Sequence, residues 1–217
     1  MKYVLVGLTC VALILAFIGG STYYKGLQVE KYGFMAEENA ELFIRDHSPT
    51  LGSDDAKVFI VEFMDPACET CAVFAPYVKK IMAANPGKIK LVLRYAPFHD
   101  GADNFVKMLE AARMQGKYWE TLDVMFKTQG AWANHGNYQP EKLWNFIPMA
   151  GVDVEQNRKD MHSPAIAKII EQDMADVKAL NVQKTPGYFV NGKPLQPFGS
   201  KQLYQLIKSE LDRQYPQ

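Results

Sequence analysis

Residues 58–71 carry the sequence VFIVEFMDPACETC, and this stretch decides the fold. Its first four residues are apolar in succession, which is typical of a short strand buried on both faces. From Cys68 onward apolar side chains recur at helical spacing, until Pro86 and Gly87 end the pattern. The stretch therefore predicts a buried strand followed by a helix that carries the pair Cys68 and Cys71 in its first turn.

Two further strands are predicted on either side of a long gap. Apolar residues alternate with polar ones, among them Arg94, over residues 89–95, which is the pattern of a strand. A second apolar run at residues 187–190 is followed by Asn191 and Gly192, a strong two-residue hairpin turn. The strand–helix–strand unit that holds the cysteines is therefore completed by a hairpin near the end of the chain.

Helical periodicity fills the gap, at about residues 102–180, and returns from about Ser200 to the end. Within the gap, Pro140 predicts the start of a helix that runs through residue 147, and Pro164 predicts the start of another. The expected order is β-α-β, a helical insert, then β-β-α. This order defines an α/β fold with one inserted helical region.

Composition limits the classes of function. The chain has 217 residues, 48% of them hydrophobic, and a formal net charge of zero. This length fits one domain with an insert, and the balanced charge gives no reason to expect nucleic acid as a partner. With only three cysteines, the chain is not a small scaffold held together by disulfides.

The N-terminal segment, residues 1–20, is expected to be a signal anchor or a signal peptide. Lys2 precedes an apolar run over residues 3–20, which is at the short end for a membrane span. We favour an anchor in the cytoplasmic membrane because the cleavage motif is weak and Tyr23 and Tyr24 resemble an interfacial belt. In either case the rest of the chain is predicted to be periplasmic or otherwise extracytoplasmic, and Cys10 is interpreted as a small apolar residue of the span rather than a lipidation site.

Residues 21–52 are predicted to form a juxtamembrane stalk, with some helix near residues 36–45. That helix is expected either to form a dimer or to pack on its own domain. Ser48 to Gly52 are interpreted as a turn-rich boundary, so the folded domain is expected to span residues 53–214.

The Cys68–Cys71 pair has three interpretations. It is half of a zinc site, a structural disulfide, or a redox centre. A zinc site needs four ligands, and the four histidines show no metal-binding spacing, while a disulfide that closes so small a loop stabilises little. The redox interpretation is favoured because a cysteine at a helix N-terminus faces free N–H groups and the positive end of the dipole, which lowers its pKa. Cys68 is then the nucleophile and Cys71 the resolving thiol.

Two other positions suit this chemistry. Glu62 lies within the apolar strand, six residues before Cys68, where a buried carboxyl with a raised pKa is able to move the proton of Cys71. Thr185 and Pro186 precede a predicted strand, and a cis peptide there fits a tight turn that leaves an edge for a substrate backbone.

Several motifs together resemble one family. They are Ala56-Lys57-Val58 and Val61-Glu62-Phe63 before the cysteines, Gln115-Gly116-Lys117-Tyr118-Trp119 in the insert, and the segment 185–192, TPGYFVNG. The set resembles the thioredoxin superfamily, and the insert makes it similar to the DsbA-like branch, with the BdbD type of membrane-anchored or secreted protein as the nearest match. The resemblance covers roughly residues 48–212.

This resemblance implies a thioredoxin-like fold and a role for each motif residue. Cys68 is the attacking cysteine, Cys71 the resolving one, Glu62 the buried carboxylate and Pro186 the cis-proline, with Thr185 in contact with substrate. It also implies thiol–disulfide exchange on secreted or periplasmic protein thiols through a redox-active disulfide, without a metal or other cofactor. A membrane redox partner would recycle that disulfide.

The residues between the cysteines depart from the family pattern. Glu69 and Thr70, which we expect to contact substrate, stand where the family's oxidants usually carry proline and an aromatic residue or histidine. Negative charge at Glu69, and at Asp65, raises a neighbouring thiol pKa. We therefore expect a weaker oxidant, with a potential between about −120 mV and about −270 mV. Oxidation of dithiols is favoured, and the alternatives are an isomerase or reductase, or a binding or metal-handling module with the same fold.

Overall fold

The structure, a computed structural model, describes residues 13–17, 19–20, 23, 40–134 and 136–216. The predictions for Cys10, and most of those for the anchor and the stalk, fall outside the described residues. Among the residues that are described, no helix has both the length and the apolar character that a membrane crossing requires.

The described chain folds around one mixed sheet. Its strands are β1 (Thr50–Gly52), β2 (Val58–Met64), β3 (Ile89–Tyr95), β4 (Ala133–Asn134), β5 (Asn137–Tyr138), β6 (Gly187–Val190) and β7 (Lys193–Pro194). Five of them form the sheet in the order β1-β3-β2-β6-β7, and β4 pairs separately with β5. β2 and β3 are parallel, while the other pairs are antiparallel. This is the predicted β-α-β unit completed by a hairpin.

The helices cover both faces of the sheet and form the insert. They are α1 (Ala40–Phe43), α2 (Glu69–Ala83), α3 (Ala102–Met114), α4 (Tyr118–Trp132), α5 (Pro140–Leu143), α6 (Val154–Asp160), α7 (Pro164–Ala179) and α8 (Ser200–Gln214), with a 3-10 turn at Ile147–Ala150. Strand β2 lies between two cores because its side chains alternate between the faces. Ile60 joins the core under α2 and α8, whereas Phe63 joins a smaller core with Phe43 and Val177.

Strand β2 is longer than its apolar run predicts. It continues to Met64, so Glu62 is inside the strand, opposite Leu93 of β3 and Tyr188 of β6. By alternation Glu62 lies on the same face as Ile60, the face that α2 covers. The strand therefore carries a carboxyl group beneath the helix that begins with the cysteines.

The structure differs from the turn-rich boundary that the sequence suggested at residues 48–52. Thr50–Gly52 form an edge strand paired antiparallel with β3, and Phe43 is buried against Phe189 with ring centroids 5.1 Å apart. Gly52 has φ 109°, and a Cβ there would lie 2.4 Å from the carbonyl oxygen of Ile89. The close approach of this strand to β3 requires glycine at position 52. Because glycine is also typical of turns, the sequence pattern indicated a turn instead of a strand.

The insert also differs in detail from its prediction. The helix from Pro140 ends at Leu143, and the 3-10 turn follows it, instead of one helix through residue 147. The short helix α6 and the hairpin of β4 and β5 carry no clear periodicity and were not predicted. Elements this short give too few residues for a period to be recognised.

Candidate active site

The two cysteines occupy different positions at the start of α2. Cys68 is the N-cap residue, with extended backbone angles of φ −77° and ψ 117°, and the helix itself begins at Glu69. Both thiols are free, Cys68 is 6% exposed and Cys71 is fully buried one turn further on. An attacking group from another molecule therefore reaches Cys68 first.

The environment lowers the pKa of Cys68 to about 6. The largest cause is a hydrogen bond from the Cys71 thiol, which is partly offset by burial. The Thr185 side chain and the backbone N–H groups of Cys71 and Thr70 lower the pKa further, as expected at a helix N-terminus. Glu69 is not among these principal influences, in contrast to the electrostatic effect that the sequence predicts.

The pKa of Cys71 is shifted in the opposite direction, well above the ordinary value. Burial is the main cause, and the hydrogen bond to Cys68 and the nearby negative charges of Glu62 and Cys68 add to it. At neutral pH the pair therefore holds one thiolate, on Cys68, and one thiol, on Cys71. This is the division between nucleophile and resolving thiol that the helix position predicts.

Glu62 is the titratable group beneath the pair. It is 3% exposed, and burial raises its pKa to about 8, with a smaller opposing effect from Tyr188. Glu62 also lines a small cavity, of about 10 Å³, that reaches the ion pair between Lys79 and Asp123. That volume is close to the lower limit for one water molecule. Glu62 is thus mainly a neutral acid at pH 7, and once ionised at higher pH its negative charge opposes ionisation of Cys71.

The segment before β6 lies against the cysteines. The Thr185–Pro186 peptide bond is cis, as predicted, and the Cys68 sulfur lies 3.4 Å from the carbonyl oxygen of Thr185, to which it donates a hydrogen bond when it is protonated. Pro186 is buried and Thr185 is partly exposed. Thr185 is therefore in position to meet whatever binds to Cys68.

A groove of about 490 Å³ opens over Cys68, and we call it the active-site groove. It is lined by Ala67, Cys68, Glu69, Thr70, Phe98, His99, Gly136, Tyr138, Lys184 and Thr185. The three positions predicted to contact substrate, Thr185, Glu69 and Thr70, all line it. The groove thus brings together Cys68, Glu69, Thr70 and Thr185, while Cys71, Glu62 and Pro186 are buried.

The sequence did not predict the contact between two residues near the groove, His99 and Asp65. His99 comes from the loop after β3, and its ring Nδ1 lies 2.7 Å from the carboxylate of Asp65. Asp65 is fully buried, and the sequence suggested only that its charge opposes the Cys68 thiolate. No local pattern connects two residues 34 positions apart, so only the fold brings them together.

The described residues show no grouping of ligands for a metal ion. Within the described ranges, no three side chains of histidine, cysteine, aspartate or glutamate are grouped closely enough to hold one. Met64, the one methionine near the pair that metal handling would use, is 1% exposed and belongs to the core.

Comparisons with known proteins match this geometry. The model of the family described as Thioredoxin matches residues 45–209. A probable disulfide bond formation protein D from Bacillus cereus is 31% identical over 170 residues, which are 74% of this chain and 78% of that protein. The crystal structure of oxidised BdbD from Bacillus subtilis superposes with a TM-score of 0.67 and 25% identity, over 76% of this chain and 93% of that one.

A different kind of relative contains a similar region. The Na(+)/H(+) antiporter NhaA of Herminiimonas arsenicoxydans is 31% identical over 145 residues, which are 67% of this chain. The chain spans only between 22% and 24% of the length of such antiporters. Because the family model covers most of the chain, the chain belongs to the thioredoxin family, in its DsbA-like branch.

Proposed function

We propose that the chain oxidises pairs of thiols in extracytoplasmic proteins by exchange with its own Cys68–Cys71 disulfide. The observation that carries this proposal is the separation of the two thiol pKa values, with Cys68 lowered to about 6 and Cys71 raised. A stable Cys68 thiolate makes Cys68 a good leaving group and favours the reduced form of the protein, which makes the disulfide an oxidant.

The first step forms a mixed disulfide. A substrate thiolate attacks Cys68, the new S–S bond forms there, and the Cys68–Cys71 bond breaks with its electron pair on Cys71. Glu62, protonated below about pH 8, supplies the proton that neutralises the buried Cys71 thiolate. Cys71 has a strongly raised pKa and therefore holds that proton.

The second step releases the product. The second substrate thiolate attacks the first substrate sulfur, which is bonded to Cys68 in the mixed disulfide. The substrate disulfide forms, and Cys68 leaves as a thiolate. The substrate has then lost two electrons and gained a disulfide, and the protein has gained the same two electrons as a thiol and a thiolate. A membrane redox partner would reoxidise the pair, without a metal or other cofactor.

Recognition of the substrate is assigned to the rim of the groove. Thr185 presents its backbone beside Cys68, and Glu69 and Thr70 are exposed at the first turn of α2. We propose that these three residues contact the polypeptide around the reacting thiol. Such contacts use main-chain hydrogen bonds and so suit many sequences.

The proposed place of action is outside the cytoplasm. The apolar run at residues 3–20 supports export, either as an anchor or as a cleaved signal. Protease treatment of intact cells tests this, because the domain should be cleaved once the outer barrier is opened and protected if it is cytoplasmic.

Isomerisation or reduction is the second candidate, because the Cys68 pKa is lowered less than that of a strong oxidase. A pKa of about 6 lies between the values of about 3.5 for a strong oxidase and about 7 for thioredoxin. We expect a reduction potential between about −120 mV and about −270 mV. A potential near about −120 mV supports oxidation, and a potential near about −270 mV supports reduction.

Equilibration with glutathione gives this potential directly. Refolding of a reduced, disulfide-containing substrate by the oxidised protein then measures oxidase activity, and reduction of insulin measures the opposite reaction. Cys68→Ser should abolish both activities. Retention of either activity in Cys68→Ser would overturn the proposed function.

A further inference from the structure

The carboxylate of Asp65 is built into the loop before the cysteines. It is fully buried and accepts hydrogen bonds from the backbone N–H of Ala67 at 2.8 Å and of His99 at 3.0 Å. It also contacts the His99 ring Nδ1 at 2.7 Å. The carboxylate is therefore fixed in place, and its Oδ2 holds His99 at both the backbone N–H and the ring Nδ1.

This contact determines which nitrogen of His99 is free to react. A carboxylate is an acceptor, so Nδ1 carries a hydrogen and donates it to Asp65, which leaves the lone pair of the neutral ring on Nε2. Among the described residues, none forms a hydrogen bond with Nε2. The side chain is 33% exposed, packs against the Tyr138 ring at 5.2 Å, and lines the active-site groove with Cys68.

We propose that His99 is the general base that removes the proton from an incoming substrate thiol, and that Asp65 is its positioning residue. This inference deepens the proposed function and rests on it. The thiol proton moves to Nε2, the sulfur attacks Cys68, and the Cys68–Cys71 bond breaks toward Cys71. The resulting imidazolium is stabilised by the Asp65 carboxylate and returns its proton to solvent before the next substrate thiol arrives.

The chemistry of the substrate explains why such a base is useful. The thiolate is the nucleophile, and an ordinary cysteine with a pKa of about 8.5 is mostly a thiol at neutral pH. A positioned base typically contributes roughly 10²–10⁴-fold to proton transfer.

Charged and titratable groups surround His99 from each packed element. Cys68 and Glu69 face the groove from the start of α2, Asp100 follows in the same loop, Tyr138 lies on β5, and Lys184 precedes the cis-proline. A pH profile of the rate includes all of them. The test therefore compares two substrates in the same protein at the same pH, so that these groups are held constant.

The experiment uses the oxidised full chain with Cys10→Ala, and measures the second-order rate of its reduction by two small thiols. One thiol has an ordinary pKa of about 8.5, and the other is aromatic and ionised throughout the neutral range. We expect His99→Gln to slow the ordinary thiol about tenfold or more near pH 7 and to leave the ionised thiol nearly unchanged. His162→Gln, at an exposed histidine away from the groove, should change neither rate.

Further variants separate catalysis from structure. Imidazole added to the buffer should restore part of the rate of His99→Ala with the ordinary thiol, since the groove is open to small molecules. Asp65→Asn should slow the ordinary thiol selectively, and the double variant with His99→Gln should be no slower than His99→Gln alone. Asp65 also accepts a hydrogen bond from the Ala67 N–H, so Asp65→Asn disturbs the loop as well. The rate with the ionised thiol measures that structural effect, and only additional slowing of the ordinary thiol is assigned to the base.

The outcomes distinguish the inference from the proposed function. Equal slowing of both thiols, or no slowing of either, would overturn the role of His99 as a base. If the reduction potential changes in His99→Gln while the selectivity between thiols does not, His99 acts on the Cys68 thiolate and the inference is wrong. If the wild-type chain reacts with neither thiol, it is the proposed function that fails.

Discussion

The Cys71 thiol is the largest influence that lowers the pKa of Cys68, so the resolving cysteine also activates the nucleophile. We expect Cys71→Ala to raise the Cys68 pKa, because the donated hydrogen bond is lost. Cys71→Ser keeps a hydroxyl donor and should remain closer to wild type. Ultraviolet titration of the thiolate, with Cys10→Ala in both variants, measures the difference, and identical titration curves would contradict this account.

Glu62 should make stability depend on pH. Burial raises its pKa from 4.5 to about 8 in the folded chain, so between these values the folded state binds a proton that the unfolded state has lost. Stability is then highest below about pH 4.5 and falls as pH rises to about 8, with a slope of up to about 1.4 kcal/mol per pH unit. Glu62→Gln removes this dependence.

Denaturant unfolding of the reduced chain at several pH values gives the measurement. The stability of Glu62→Gln relative to wild type should increase from pH 5 to pH 8, by an amount on the order of several kcal/mol. Glu69→Gln, at an exposed position of α2, is the matched control and should run parallel to wild type. A difference for Glu62→Gln that is constant with pH would show that Glu62 titrates normally.

Among the elements, β3 and α7 are joined by a buried ionic network. Arg94 of β3 is fully buried and donates to Asp173 at 2.7 and 3.0 Å, to Asp176 at 2.5 Å and to the carbonyl oxygen of Leu42 at 2.7 Å. Asp173 also accepts from the Tyr95 N–H at 2.7 Å. The last helix of the insert is thereby fixed to the sheet beside β2.

Arg94→Met should destabilise the fold by about 3–5 kcal/mol, because it removes the fully buried cation that the carboxylates of Asp173 and Asp176 share. Lys90→Met, on the same strand, is the control. Lys90 pairs with the exposed Asp54, and an exposed ion pair contributes little. Urea unfolding gives the free energy of unfolding of both variants. If the two variants lose similar amounts of stability, the buried network stabilises the fold no more than an exposed ion pair does.

Arg94 also shows how far the sequence predicts an element. Alternation correctly located β3 and grouped Arg94 with Lys90 as polar positions. It does not reveal that Asp173, 79 positions later, allows a charge to be buried. By contrast the burial and raised pKa of Glu62 were predicted correctly, because a carboxylate inside an apolar strand is visible in the strand itself.

The same limit applies to the site. Cys68, Cys71 and the Thr185–Pro186 pair belong to local motifs, and the resemblance of those motifs to one family predicts that they lie together. His99 and Asp65 belong to no motif, and Asp65 alone suggested only a repulsive charge. Residues whose partners are distant in the chain require the fold before their role is visible.

At the scale of the molecule, the folded unit begins before residue 53. Arg45 donates to Asp176 at 2.8 and 2.9 Å, His47 contacts Asp173 at 2.6 Å, and Phe43 is buried. A chain that begins at residue 53 loses all three and the edge strand β1. It should be less stable than one that begins at residue 40 by at least about 3 kcal/mol, the usual cost of losing one large buried side chain.

The urea midpoints of these two truncated chains test the boundary. As a control, Arg45→Ala in the chain that begins at residue 40 should lose only part of the difference, since Arg94 still pairs with Asp176. Equal midpoints for the two truncations would restore the predicted boundary at residue 53.

The groove over Cys68 is assembled from four separate segments, at residues 67–70, 98–99, 136–138 and 184–185. Only the first of these carries the reacting sulfur, and the third arises from a two-stranded hairpin that the central sheet does not contain. The hairpin therefore adds a wall to the groove from a segment that is not among the causes of the Cys68 pKa shift, whereas Thr70 and Thr185 belong to both. A hairpin grafted from one relative to another is expected to alter part of the choice of substrate while the midpoint potential stays with the recipient.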